Sequence, residues 1–264
     1  MTTPSLRVVI PSRKRVQVLT DSALSLFPDA TVTVAESEMA AYAPVVPAER
    51  LVPHPDDVTG IAPIRQWVLD HFDDEAVVFV DDDCYKLVSV VGYSYSNLTS
   101  PANCWQAVEN AANIARTIGT AVFGFNQAWD VRKFNCMKPL LVNSWVGGVI
   151  GIIGRDFRFD TALRLRADID FCLQVLLKRR YTYVENRLAF VHKRFGLVGG
   201  NAVNRSADRN AQEIAYLKRK WGASLTTQSA KGTLLLKVRV PRQQKTIQLP
   251  GDVETETDAV DERQ

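Results

Sequence analysis

Ala76-Val77-Val78-Phe79-Val80-Asp81-Asp82-Asp83-Cys84-Tyr85 is the stretch on which the reading of the chain turns. Five apolar residues, none charged, run straight into three consecutive carboxylates. An unbroken apolar run rich in Val, without polar alternation, predicts a strand buried on both faces. Such a strand delivers Asp81, Asp82 and Asp83 to its own C-terminal edge. In an open α/β sheet, ligands gather in the crevice beyond the carboxyl ends of the strands. Three adjacent carboxylates repel one another, and a hard divalent cation, usually carried with a phosphate-bearing substrate, relieves that repulsion. The plainer alternative is a strand followed by a polar turn, where Asp is common.

Upstream, residues 6–10 form a short β-type run. Pro11-Ser12-Arg13-Lys14-Arg15 follows, then apolar positions at Val16, Leu19, Ala23, Leu24 and Phe27. This reads as strand, basic loop and helix, the loop cations either meeting phosphate near a helix start or, the better reading of the loop taken alone, forming a solvated turn. Residues 31–35 alternate β-branched side chains and end at Glu36, where a carboxylate would accept hydrogen bonds from a nucleoside. Residues 50–52 predict a third strand. A helix over 60–72 shows Ile61, Ile64, Val68 and Phe72 on one face, with Arg65 and Gln66 in its first turns, facing a diphosphate. The first part of the chain is therefore β-α-β-β-α-β, a nucleotide-binding half of a parallel sheet. No Gly-x-Gly-x-x-Gly follows the first strand and no Gly-Lys-Ser/Thr loop occurs. Both absences argue against a dinucleotide oxidoreductase and a P-loop NTPase.

Downstream, a strand and loop over 85–100, a helix over 103–118 and a strand over 121–125 precede an aperiodic segment, 127–139. There Trp129, Arg132, Lys133, Phe134 and Lys138 interleave aromatic with basic residues, a pattern that can stack on bases and meet phosphates or simply pack. Asn143-Ser144-Trp145-Val146-Gly147-Gly148-Val149-Ile150-Gly151 pairs glycines inside an apolar run, which marks a bulge or a close approach to backbone. Arg166-Ala167-Asp168-Ile169-Asp170-Phe171 opens a helix to about residue 179. Asp168 or Asp170 is either a first-turn carboxylate favoured by the helix dipole or a general base. Strands at 182–184 and 188–191 follow, the second ending at His192. The Gly-rich residues 195–204 predict a lid or phosphate loop. A helix over 206–221 and a half-exposed strand over 232–240 complete the ordered part.

Composition is that of a globular protein: 264 residues, 46% hydrophobic and 23% charged. That suffices for one large domain or two small ones. No apolar run has transmembrane length, and the N-terminus lacks a signal-peptide core, so a cytoplasmic protein without a membrane partner is expected. Cys84, Cys104, Cys136 and Cys172 show no short paired spacing, so free thiols are expected. The net charge of +3 is uneven. Residues 251–264 hold six acids and one base, leaving 31 bases and 23 acids elsewhere. Between Arg205 and Lys245 there are ten bases and two acids. This is either a solvated face or a groove for nucleic-acid backbone, with the acidic tail disordered and able to shield it.

Taken in order, these features resemble GT-A glycosyltransferases. They are a strand with Ile10-Pro11-Ser12-Arg13, a strand ending in an acid, a helix with Arg65-Gln66, a strand ending in Asp81-Asp82-Asp83, a Gly-Gly segment, Ala167-Asp168-Ile169-Asp170 and a strand ending in His192. The resemblance implies a Rossmann-like, mostly parallel α/β sheet flanked by helices. The catalytic domain would be residues 1–222, with a basic β extension at 223–250 and an acidic disordered tail at 251–264. By that resemblance Asp81-Asp82-Asp83 matches the Asp-x-Asp motif. Asp83 coordinates a divalent metal (Mn2+ or Mg2+), Asp81 holds the metal or the ribose, and His192 is a further ligand. Ala167-Asp168-Ile169-Asp170 resembles a Glu-Asp-x-Asp motif whose first acid is replaced by Ala167, leaving Asp168 as the base of an inverting enzyme.

The donor, a nucleotide-sugar and by expectation a UDP-sugar, is then expected against Pro11, Ser12, Arg13, Arg15, Glu36, Arg65, Gln66, Asp81 and Asp82. The acceptor is expected against Trp145, Gly147 and Gly148. The Pro-Ser-Arg-Lys-Arg start, the Arg-Ala-Asp-Ile-Asp segment and the basic C-terminal region are similar to the bacteriophage TET-associated glycosyltransferases. That likeness implies duplex DNA carrying 5-hydroxymethylcytosine as acceptor and, for a phage-encoded protein, the host cytoplasm as its location. Three alternatives stand beside it: a GT-A enzyme with a carbohydrate, lipid or protein acceptor, a nucleotidyltransferase, and a non-catalytic nucleic-acid-binding protein.

Overall fold

A computed structural model describes residues 5–193, 206–230 and 233–238. The Gly-rich 195–204 segment, the cations Arg239, Arg242 and Lys245, and the acidic tail lie outside the described residues.

The decisive strand, β4 (Ala76–Val80), is buried at every position. Val78 and Val80 enter one core and Val77 and Phe79 the other, as a strand covered on both faces requires. Full burial of each such side chain contributes about 1.5–3 kcal/mol. On one side of β4 lie β1 (Leu6–Pro11), β2 (Thr31–Ala35) and β3 (Leu51–His54), all parallel. On the other side β9 (Val149–Ile153) pairs antiparallel with β4 and with β7 (Val122–Phe125). Then come β10 (Tyr183–Glu185), parallel to β7, and β8 (Leu140–Leu141), antiparallel at the edge. The eight-stranded order is β3-β2-β1-β4-β9-β7-β10-β8. The α/β, mostly parallel expectation holds, with β9 reversed in its middle.

Helices cover both faces. The short helices α1 (Val16–Thr20) and α2 (Ala23–Leu26), with α3 (Met39–Tyr42) and α5 (Pro101–Ile118), contribute to the first core. α4 (Ile61–His71), α6 (Ala167–Arg179) and α7 (Ala207–Trp221) contribute to the second. α5 is bounded as its sequence dictates: Ser100 accepts the Asn103 amide, Pro101 opens the first turn, and Gly119 closes it in the left-handed region. The single helix read after the basic loop is two short ones. The chain breaks at Asp21-Ser22, while Leu19, Ala23 and Leu26 still reach the core. Asp is among the weaker helix formers, so propensity does little to resist the break.

A second sheet is central to the site. β5 (Cys84–Ser89) pairs antiparallel with β11 (Leu188–His192) and with β6 (Ser96–Asn97). After α7, β12 (Leu225–Ala230) and β13 (Thr233–Val238) form a hairpin. The sequence reading found only its second strand. Leu225 is buried with Leu217 and Trp221 in the second core. Among the described residues all four cysteines are free, and no helix is long and apolar enough to cross a membrane.

Candidate functional site

The three carboxylates after β4 point three ways. Asp82 turns inward and is buried. It accepts Ser12 Oγ at 2.9 Å and Arg15 Nη1 at 3.2 Å, while the Tyr42 hydroxyl bonds Ser12 Oγ at 2.9 Å and accepts the Arg15 amide at 3.1 Å. Burial pushes Asp82 up to about 6, against the pull of Arg15 and Ser12. Asp82 therefore ties the β1 loop to the β4 loop.

Asp81 is partly exposed and accepts Arg65 Nη2 at 3.1 Å. Arg65 is only 4% exposed and lies over the Phe79 and Phe159 rings. Asp83 faces His192, Oδ1 to Nδ1 at 3.1 Å. That meeting is made by the sheet: His192 sits opposite Cys84 after a register shift in β11, and the Lys193 amide donates to the Asp83 carbonyl at 3.0 Å. One ligand atom each from Asp81, Asp83 and His192 lies within 4.8 Å of the others, all three residues half-buried. The two carboxylates suit Mn2+ or Mg2+, and the imidazole favours the transition metal Mn2+ of the two.

The glycine pair closes the site from β9. The Asp81 amide donates to the Gly148 carbonyl at 3.0 Å. Gly148 has φ +73°, and a methyl there would lie 2.5 Å from His192 Nε2. A methyl on Gly147 would lie 2.6 Å from Asp168 Oδ2 and 3.2 Å from Trp145 Cζ3. The close approach read from the sequence is thus to the site's own side chains. The absence of a Cβ lets the two residues just before β9 lie against Asp168 (Gly147) and His192 (Gly148).

The structure separates the two acids of α6. Asp170 is 0% exposed and accepts Trp221 Nε1 at 2.8 Å, Gln174 Nε2 at 2.9 Å and Lys220 Nζ at 2.9 Å. It joins α6 to α7. Asp168 abuts Gly147, and its Oδ1 accepts the Ile169 amide at 2.9 Å. Burial pushes Asp168 up to about 6, partly offset by the positive charge of Arg65. A carboxylate so placed is ionised at neutral pH yet basic enough to take a proton.

Other expected residues lie further from this cluster. Pro11 ends β1 and precedes the buried Ser12, and Arg13 pairs with Glu38 at 3.9 Å. Glu36 is exposed on the 3-10 turn after β2, whereas Glu38 accepts the Lys14 amide at 2.7 Å. That turn, pinned by Asp56 on Ser37, carries the chain around so that Glu38, not Glu36, faces the basic loop. Gln66 is buried, donating to Asp70 Oδ1 at 3.0 Å and accepting the Phe159 amide at 2.8 Å, so it holds α4 to the 157–159 segment. Trp145 lies along Gly147, partly buried against the second core. Sequence reasoning missed Tyr42, which carries no motif, and Gln127, whose Nε2 donates to the Gly147 carbonyl at 3.0 Å.

Residues 6–200 match the family described as TET-Associated Glycosyltransferase. No curated protein matches the sequence. Among solved structures, glucosyl-3-phosphoglycerate synthase from Mycobacterium tuberculosis, in complex with Mg2+ and uridine diphosphate, is 15% identical. The match has a TM-score of 0.51 over 90% of this chain and 88% of that one. The mannosyltransferase PcManGT from Pyrobaculum calidifontis, in complex with GDP-Man and Mn2+, is 16% identical, with a TM-score of 0.50 over 83% of this chain and 65% of that one. S. aureus TarS 1-349 matches at 13% identity and a TM-score of 0.44 over 69% of this chain, which spans 57% of that one. The first two likenesses establish a GT-A fold.

Proposed function

We propose that this chain, which belongs to the TET-associated glycosyltransferase family, moves a sugar from a nucleotide-sugar to the hydroxymethyl group of a modified pyrimidine in DNA. The observation that carries the reading is the convergence of Asp81, Asp83 and His192 on one side of Gly147-Gly148 and of Asp168 on the other. UDP is the preferred nucleotide, with 5-hydroxymethylcytosine as the acceptor base and the cytoplasm, of the host for a phage protein, as the setting. The nucleotidyltransferase and non-catalytic alternatives lose their support with the family match. A carbohydrate, lipid or protein acceptor is the remaining alternative.

Asp81, Asp83 and His192 would hold Mn2+ or Mg2+, which supplies charge neutralisation to a departing diphosphate. The chain's own residues do the rest. Ser12 and Arg15, locked to Asp82, and Arg65, locked to Asp81, fix the floor on which the donor lies. Asp168 accepts the proton of the acceptor hydroxyl as its oxygen bonds to the anomeric carbon. The bond from that carbon to the diphosphate oxygen breaks on the opposite face, inverting the configuration. A base inside a duplex has to leave the stack to reach this point.

The test is turnover of UDP-sugars and of nucleoside triphosphates with hydroxymethylated DNA, with and without excess chelator. Sugar transfer that stops in chelator and returns with Mn2+ supports the reading. Undiminished transfer in chelator contradicts the metal assignment, and transfer only to acceptors other than DNA contradicts the acceptor.

A further inference from the structure

Beside the site stands a group of aromatic side chains that the core does not use. Trp129 is 49% exposed and Tyr95 43% exposed, meeting edge to face with ring centroids 5.6 Å apart. The Lys86 ammonium lies 4.4 Å from the centre of the Tyr95 ring, and Tyr93 is fully exposed nearby in sequence. Their neighbours are well anchored. Val131 and Phe134 pack on the small core of Val88, Val90, Ala189 and Val191. Asn126 Nδ2 donates to the Asn186 carbonyl at 2.9 Å, and Asn126 Oδ1 accepts the Ala128 amide at 2.8 Å. Trp129 is therefore held outward by a fixed segment. Exposed clustered aromatics on a fixed surface mark an interaction site.

The two segments that carry these rings are rich in bases. Residues 85–95 and 127–142 contain four bases and one acid, Asp130. Asp130 is taken up by Arg132, which donates to it at 2.9 and 3.0 Å. Among the described residues Lys86, Lys133 and Lys138 form no salt bridge to a carboxylate, although Lys133 adds to the positive field that lowers Asp130. The surface also borders the reacting centre. Gln127, two residues before Trp129, bonds the Gly147 carbonyl, and Gly147 abuts Asp168.

We propose that this platform binds a single, unpaired strand of the acceptor nucleic acid, stacking its bases on Trp129 and Tyr95 and meeting its phosphates with Lys86, Lys133 and Lys138. The proposal rests on the DNA-acceptor reading above. Rings offer their faces only to bases free of the duplex stack, and ammonium groups answer the phosphates between them. A neutral glycan would use the rings but leave the lysines unexplained. The platform thereby holds open the strand whose target base has to enter the pocket beside Asp168.

The test is fluorescence anisotropy with a labelled oligonucleotide, single-stranded and as its duplex, across a salt series. Wild type is compared with Trp129→Ala, Tyr95→Ala and Lys133→Ala/Lys138→Ala, and UDP affinity with Mn2+ and thermal unfolding serve as controls. Wild type is expected to bind the single strand more tightly than the duplex. Trp129→Ala is expected to weaken single-strand binding about tenfold. The double lysine variant is expected to lower the slope of log affinity on log salt by about 1.4. UDP affinity and melting temperature stay at wild-type values. Variants that bind the single strand like wild type, while wild type still glycosylates DNA, overturn the platform and leave the function intact. Wild type that binds no DNA and modifies none overturns both. Binding of a neutral oligosaccharide that depends on Trp129, with DNA binding that does not, assigns the platform to a glycan instead.

Discussion

His192 Nδ1 and Asp83 Oδ1 stand 3.1 Å apart across 109 residues of sequence. The contact exists because β11 runs antiparallel to β5 with its register shifted at Val191/His192. The proposed ligand cluster is thus a product of strand pairing as well as of the acidic motif. Asp83→Ala and His192→Ala are each expected to lower Mn2+ affinity by about 10- to 100-fold or more. Titration calorimetry with Mn2+ measures this directly. Wild-type affinity in both variants would remove the cluster from the metal's binding.

Asp168 carries a pH signature. Its folded value of about 6 lies above the ordinary 3.8 because burial disfavours the charged form. Below about 6 the carboxyl is protonated, and as the proposed base it could not then take the acceptor's proton. The value of kcat/KM is therefore expected to rise roughly tenfold per pH unit up to about pH 6 and then level off. Asp168→Asn is expected to lower transfer about 10²- to 10⁴-fold while leaving UDP affinity in place. For stability the sign is opposite. A raised carboxyl value favours the fold at pH values below the unfolded value and loses that contribution as pH rises through about 6. Denaturation of Asp168→Asn at pH 8 is thus expected to show no loss of stability.

Asp170 answers differently. It is fully buried between Lys220, Trp221 and Gln174. Asp170→Ala removes the acceptor of the buried Trp221 and Gln174 donors, while Lys220 keeps Asp160 at 2.7 Å, and is expected to cost about 1–3 kcal/mol in urea unfolding. A drop in activity without a drop in stability would instead assign Asp170 to the chemistry.

Gly147 and Gly148 separate the two halves of the site. Gly148→Ala meets the His192 ring at 2.5 Å and a φ of +73°. It is expected to cost about 1–3 kcal/mol and to weaken Mn2+ binding. Gly147→Ala displaces Asp168 Oδ2 and is expected to lower kcat with Mn2+ affinity kept. Melting curves and calorimetry on both variants read the split.

The architecture was legible wherever burial writes itself into composition. The Val-rich run before Asp81 is buried throughout, and the residues after it enter the site as their place at a strand end dictates. The choice between Asp168 and Asp170 was not legible from first-turn position alone. It depends on α7, more than thirty residues further along, supplying Lys220 and Trp221 to one of them. The surroundings of Glu36 and Gln66 are set locally: a 3-10 turn brings Glu38 to the basic loop, and Gln66 bonds Asp70 and the Phe159 amide. Tyr42 and Gln127 carry no motif, and their roles come from long-range contacts that periodicity does not encode.

The proposed reaction is sugar transfer to hydroxymethylated DNA with Asp168 as the base. Its most direct test is mass spectrometry of nucleosides from hydroxymethylated DNA incubated with Mn2+ and a panel of nucleotide-sugars, with wild type and Asp168→Asn in parallel. A hydroxymethylpyrimidine nucleoside gaining the mass of one sugar with wild type, and remaining unmodified with Asp168→Asn, is the predicted result. Unmodified nucleosides with every donor, or equal modification by the two proteins, would contradict it.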